Sequence, residues 1–114
     1  MNEQKRDSDF RKLVANARAI ISYQVGLPVG CVKMGRLLYW LENEGEKLAF
    51  PVFGEYLEQV RAIPTGPERL ECSRAALRRY DERLVPINLE YRERIIDSCF
   101  DIVEQYGAGK PAQS

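Results

Sequence analysis

The side chains that most often carry chemistry are absent from this sequence or are widely spaced in it. There is no histidine, the usual general acid or base, so a histidine-activated nucleophile is excluded. The three cysteines, Cys31, Cys72 and Cys99, have none of the spacings that bind zinc. We therefore predict that the protein is not an enzyme and holds no cofactor and no metal ion. An enzyme with unusual carboxylate or thiol chemistry is a third possibility, after the two binding functions described below, and a deep pocket with convergent polar groups would be its sign.

A local excess of acidic residues is the clearest charge feature of a chain whose net charge is zero. Between residues 42 and 58 there are five acids and one base, Lys47. Such a cluster forms either a solvated rim or a docking surface for a basic partner, whose association complementary charge accelerates. Aromatic residues lie beside these acids, and any left exposed would anchor an interface. The predicted partner-binding residues are Tyr39, Trp40, Glu42, Glu44, Glu46, Glu55, Tyr56 and Glu58.

Four arginines lie close together further along the chain, at Arg74, Arg78, Arg79 and Arg83. Acidic residues lie among them, and opposite charges four residues apart stabilise a helix, so we interpret the group as a solvated, self-paired face. The alternative is a helical regulatory or adaptor module, which could form a dimer, that binds nucleic acid or an acidic partner through this face. The zero net charge argues against a strongly basic nucleic-acid-binding protein.

Apolar residues recur at helical spacing throughout the chain, and no stretch shows the two-residue alternation of a strand. At 114 residues the chain can build one hydrophobic core. We therefore predict a single all-α domain over residues 1–114, with flexible tails at residues 1–7 and 108–114.

The first two helices are marked by their starting residues. Asp7 or Ser8 can cap the first helix, and Pro28 suits the first turn of the second. Within the second helix, Gly30 and Gly35 lower helix propensity, and we predict that they allow close approach of neighbouring helices.

Proline divides the rest of the chain. A third helix begins near Pro51, and a fourth begins at Pro67 with Leu70 on its buried side. Pro86 lacks a backbone donor and crowds the preceding turn, so it should end or kink that helix. The predicted architecture is an irregular bundle of about five helices, of which the last two are long and separated by a break or kink near Pro86.

The sequence also indicates the cellular compartment of the protein. Residues 1–9 are polar and lack the apolar core of a signal peptide, and no apolar run reaches the roughly 18 residues that span a bilayer. Each cysteine lies on or beside an apolar stripe, which is typical of small buried side chains in a reducing compartment. We expect a cytoplasmic protein without membrane association.

Several short segments resemble a group of small, uncharacterised bacterial helical domains. The resemblance extends over residues 10–106 and is carried by residues 17–22 (ARAIIS), 26–31 (GLPVGC), 50–53 (FPVF), 63–69 (IPTGPER) and 80–81 (YD). It implies a bacterial cytosolic protein, and domains of this kind are often similar to immunity partners of secreted toxins. Our leading hypothesis is a non-enzymatic immunity protein that binds and neutralises a cognate toxin with a basic surface.

Overall fold

All regular secondary structure in the part of the chain that the computed structural model describes, residues 3–107, is helical. Four α-helices and one short 3₁₀ helix follow in the order α1 Glu3–Ile21, α2 Leu27–Asn43, α3 Pro51–Gln59, the 3₁₀ helix Pro67–Glu71 and α4 Arg74–Tyr106. The predicted all-α fold is confirmed, but this range contains four α-helices instead of about five. The predicted C-terminal tail, residues 108–114, lies outside the described residues.

The first helix begins earlier than its sequence predicts. Its buried residues are Asp9, Leu13, Val14, Asn16, Ala17 and Ile20. They face α2 and α4, the two helices that α1 packs against. Residues 3–7, predicted as a tail, form the first turns of α1 instead, and the predicted caps Asp7 and Ser8 lie inside the helix. Ion pairs from Lys5 and Arg6 to the residues that follow α2 hold these turns in place.

At Gly30, α2 crosses α1 with almost no space between the two helices. A Cβ atom on Gly30 would lie 2.5 Å from Cγ1 of Ile20. Asn16 donates a hydrogen bond from Nδ2 to the carbonyl of Gly30 at 2.9 Å, which satisfies a buried polar group. Gly35 allows a similar approach to α3, where its Cβ would lie 2.9 Å from Cδ1 of Leu57. The predicted role of both glycines in close helix approach is confirmed.

The turn after α2 reverses the chain so that α3 packs against α2 and α4. Gly45 has a φ of +98°, which glycine adopts without the steric cost of a side chain. Its backbone N–H donates to the carbonyl of Glu42 at 3.1 Å. A non-helical segment then leads to Pro51, the first residue of α3. Phe53 and Tyr56 of α3 enter the core.

The last helix, α4, runs without interruption through Pro86. The predicted break is therefore wrong, and the fourth and fifth predicted helices belong to one helix of 33 residues, about 50 Å long. Pro86 cannot donate to the carbonyl of Glu82. Both residues are exposed, so water can hydrogen-bond to the free carbonyl, and the missing bond costs less than it would inside the core.

The two halves of α4 differ in how the rest of the chain covers them. The buried residues are Tyr91, Ile95, Cys99 and Ile102. No residue from 74 to 90 is buried. The prediction that Leu70 is buried is also wrong, because Leu70 lies in the 3₁₀ helix and is 88% exposed. The α-helix starts only after Ser73, whose Oγ accepts a hydrogen bond from the backbone N–H of Ala76 at 3.0 Å.

We predict that Gly30→Ala destabilises the protein, whereas Gly54→Ala does not. A methyl group at residue 30 would collide with Ile20, and overpacking of this kind costs about 1–3 kcal/mol. At residue 54, inside α3, a Cβ would meet no heavy atom within 4 Å, so alanine should raise stability by up to about 1 kcal/mol through helix propensity. Urea unfolding followed by circular dichroism measures both effects. Equal stability of the two variants would contradict the close approach of α1 and α2.

Candidate protein-binding surface

An open groove of about 440 Å³ lies between α2 and the segment that leads into α3. We call it the α2–α3 groove. It is lined by Gly35, Leu38, Tyr39, Glu42, Leu48, Ala49, Phe50, Pro51, Phe53 and Gly54. Apart from the Tyr39 hydroxyl and the Glu42 carboxylate, the lining side chains are apolar or absent. Tyr39 is 62% exposed, so its ring stands at the groove with most of its surface available.

A second depression adjoins the groove around the turn after α2. It has a volume of about 320 Å³ and is lined by Glu42, Gly45, Glu46, Lys47, Leu48 and Ala49. Glu42, Leu48 and Ala49 line both depressions. The concave surface is therefore continuous, apolar along α3 and charged near the turn.

Two of the five acidic residues predicted to bind a partner pair with α1. Oε2 of Glu44 lies 3.2 Å from Nζ of Lys5, and Oε2 of Glu46 lies 3.1 Å from Nη1 of Arg6. Lys5 also donates a 3.0 Å hydrogen bond to Asp9, and its bonds to Asp9 and Glu44 raise the pKa of Lys5 above its ordinary value. The Glu44 side chain is only 13% exposed. Through these two ion pairs, the segment that follows α2 contacts the start of α1.

Two further acids of the predicted site pair with arginines, one with an arginine on α4 and one with an arginine three residues further along the chain. Oε1 of Glu55 lies 2.5 Å from Nη2 of Arg94 on α4, and Oε2 of Glu58 lies 2.7 Å from Nη1 of Arg61. The fifth acid, Glu42, is exposed and has no ion-pair partner within residues 3–107. The unneutralised carboxylate of the acidic segment is therefore the one that lines the groove.

The three aromatic residues of the predicted site lie in three different environments. Tyr39 lines the groove. Trp40 is partly exposed, and Nζ of Lys5 lies 5.4 Å from the centre of its ring, a cation–π contact that occupies one ring face. Tyr56 is fully buried, and its hydroxyl donates to Oδ1 of Asn88 at 2.6 Å. Tyr56 is therefore not part of the surface, which corrects that prediction, and burial raises the pKa of its hydroxyl.

The sequence predicts that the arginine group on α4 pairs with neighbouring acids, and the structure does not have these pairs. Its members are all exposed: Arg74, Arg78, Arg79 and Arg83. None of them has an ion-pair partner in the described part of the chain. Asp81, an acid among them, pairs instead with Arg69 of the 3₁₀ helix at 3.1 Å. An ion pair between exposed side chains gains little free energy, so suitable spacing alone does not form one. The group is an open basic surface on the half of α4 that the rest of the chain covers less.

Two of the three thiols lack the properties of a catalytic nucleophile. Cys31 and Cys99 are fully buried, and burial raises the pKa of each thiol to about 12, whereas the thiolate is the reactive form. Among residues 3–107, no group of three or more acidic, cysteine or histidine side chains could hold a metal ion. A smaller cavity of about 230 Å³ has Asn88 and Arg92 in its lining, without a carboxylate or a thiol.

Comparison of the chain with protein-family models, with curated proteins and with solved structures gave no match. In the part of the chain that the structure describes, no helix is long and apolar enough to cross a membrane. The assignment of a function therefore rests on the geometry of the chain itself.

We predict that the protein loses stability as the pH rises above about 8.5, the ordinary pKa of a cysteine thiol. In the unfolded chain Cys31 and Cys99 ionise above that pH, whereas in the folded protein they stay protonated up to about 12. Their contribution is therefore fully present below about pH 8.5 and is lost progressively as the pH approaches 12. Urea unfolding at a series of pH values measures the decline.

The matched variants for this prediction are Cys99→Ala and Gly54→Ala, because Gly54→Ala removes no titratable group. Cys99→Ala should flatten the dependence of the unfolding free energy on pH, and Gly54→Ala should leave it unchanged. If wild-type and Cys99→Ala proteins lost stability equally between neutral and alkaline pH, the buried thiol would not be the cause.

Proposed function

We propose that the protein is a non-enzymatic protein-binding domain and that the α2–α3 groove receives its partner. The observation that carries this proposal is the pair of groove residues Tyr39 and Glu42: an exposed aromatic ring beside a carboxylate that pairs with no base in residues 3–107. Aromatic side chains supply much of the binding energy of protein interfaces. A free carboxylate beside the ring adds selectivity for a basic partner.

The geometry also supports a specific chemistry for the partner. The apolar lining of the groove, which includes Leu38 and Phe50, suits an apolar side chain that is buried on binding. The carboxylate of Glu42 suits an ion pair with a lysine or arginine of the partner that lies next to this apolar side chain. The other acids of the segment already pair with bases of the chain itself, so they contribute to the shape of the surface more than to its charge.

We further propose that the partner is a bacterial toxin with a basic surface and that the protein is the cytoplasmic immunity protein that neutralises it. The small helical chain, its lack of histidine and the resemblance of its short segments to small bacterial helical domains support this assignment. To neutralise a toxin, an immunity protein needs only to cover the toxin's functional surface. A helical protein with a preformed groove can cover that surface without any catalytic group.

A second candidate function rests on the open basic surface of α4. Its four arginines are exposed and have no ion-pair partner in residues 3–107, which favours a regulatory or adaptor module that binds nucleic acid or an acidic protein. Retention on immobilised DNA or RNA that weakens with added salt would support this function. The absence of retention at low salt would remove it.

We predict that Tyr39→Ala and Glu42→Lys each weaken toxin binding by roughly tenfold to a hundredfold. The first substitution removes the exposed ring, and the second reverses the charge at the groove wall. Candidate toxins are the products of genes that neighbour the gene for this protein. Coexpression in a bacterial host measures protection from each toxin, and copurification measures formation of the complex.

The matched control is Glu104→Lys, because Glu104 is an exposed acid on α4 that does not line the groove. This variant should protect cells as well as the wild type does. If the wild type neither bound nor protected against any candidate toxin, the immunity proposal would be wrong. If both groove variants protected fully, the partner would bind elsewhere on the protein.

A further inference from the structure

One face of α4 carries mainly basic residues in its first half and mainly acidic residues in its second half. Glu82 and Arg94, which border this face, are the exceptions, and Arg94 pairs with Glu55. On the side away from the core, Arg79 and Arg83 lie in the first half of the helix, and Glu90, Glu93 and Asp97 follow in the second half. Spacings of three, four or seven residues place all of them along one side of the helix. All five are exposed, and none has an ion-pair partner in residues 3–107. We call this row the α4 charged row.

We propose that two copies of the protein pair through the α4 charged row, with their α4 helices side by side and antiparallel. A two-fold axis at the level of Asn88 fixes the register. Arg79 and Asp97 lie nine residues on either side of Asn88, and Arg83 and Glu93 lie five residues on either side. Arg79 of one copy therefore faces Asp97 of the second copy, and Arg83 faces Glu93.

The antiparallel direction follows from the order of the charges. The basic block of each helix lies along the acidic block of the other, and the two-fold axis repeats every contact. Antiparallel helices also place their dipoles in opposite directions. A parallel pair in register would set arginine against arginine and acid against acid, which is unfavourable. The α4 charged row lies on the side of the helix opposite Tyr91 and Ile95, which are buried. The hydrophobic cores of the two copies therefore lie on opposite sides of the helix pair.

One exposed apolar residue borders the α4 charged row near the proposed axis. It is Leu89, which lies four residues before Glu93 and is 71% exposed. Leu89 is adjacent to Asn88 in the sequence, so the Leu89 side chains of the two copies approach each other beside the axis. Their burial adds a hydrophobic contribution to a contact that is otherwise electrostatic.

The first half of α4 is covered less by the rest of the chain than the second half, which is a physical reason for it to bind a partner. No residue from 74 to 90 is fully buried, although Leu84 and Ile87 pack partly against the core, and helices in proteins owe most of their stability to such packing. Pro86 weakens this part further, and Arg74, Arg78 and Arg79 lie at the positive end of the helix dipole, where basic groups are unfavourable. Acidic side chains from a second copy would offset that charge.

The size of the contact indicates a weak dimer. From Arg79 to Asp97 the row is about 27 Å long at 1.5 Å per residue. One helix pair of this length falls at the low end of the range of specific interfaces, below the roughly 1,600 Å² of a standard one. We therefore expect association at micromolar concentrations. None of the five residues of the α4 charged row lines the α2–α3 groove, and the pairing does not depend on the function of the groove.

The test uses the full chain and two single charge reversals, Arg79→Glu and Asp97→Arg. Each variant alone sets like charges against each other at two symmetry-related positions, so its dimer should dissociate about tenfold or more readily than that of the wild type. An equimolar mixture of the two variants restores opposite charges at both positions and should dimerise as the wild type does. Sedimentation equilibrium across micromolar concentrations measures each dissociation constant.

Arg36→Glu is the matched control, because Arg36 is an exposed arginine on α2, and this variant should dimerise as the wild type does. Added salt should weaken the wild-type dimer, because the ion pairs are exposed. A wild-type protein that stays monomeric, including one that is monomeric and binds DNA or RNA through its arginines, would overturn the proposal. So would a mixture of the two variants, both folded by circular dichroism, that stays monomeric.

Discussion

The contact between α1 and α2 at Gly30 is the constraint on which the rest of the structure depends. Because residue 30 has no side chain, Ile20 lies directly against the backbone of α2. This contact fixes which face of α2 is buried and leaves another face free. The free face carries Tyr39 and Glu42 along the groove. A side chain at residue 30 would separate the two helices and would move the groove wall with them.

The sequence predicted the local features of the fold because they depend on residues that are close together in the chain. The apolar stripes that include Leu13 and Ile95 are buried, as a helical period of apolar residues requires. Prediction failed where the result depends on the surroundings of a helix. Pro86 does not break α4, because the carbonyl that it leaves free lies at an exposed residue. Leu70 is exposed because no other element within residues 3–107 covers it.

The acidic segment shows a similar limit of sequence analysis. A charge count treats Glu42, Glu44 and Glu46 alike, because they lie within five residues of one another. The bases that neutralise Glu44 and Glu46 are Lys5 and Arg6, far away in the chain, and no spacing rule could assign them. The groove was also not predictable, since α2 and α3 both contribute to it, and its shape depends on how they pack.

The stacking of Phe10 on Tyr106, with ring centroids 4.9 Å apart, has a consequence for how the chain folds. These residues lie near opposite ends of the described chain, so their contact closes a very long loop. Closing such a loop costs conformational entropy before the contact can stabilise the chain. Proteins with contacts between distant residues fold more slowly than helical bundles in which each helix packs mainly against the next one in the sequence. Until α4 packs against α1, the side of the α1 apolar stripe that faces α4 is uncovered, even where α2 already packs against the other side. Transiently exposed apolar surface of this kind favours aggregation during folding.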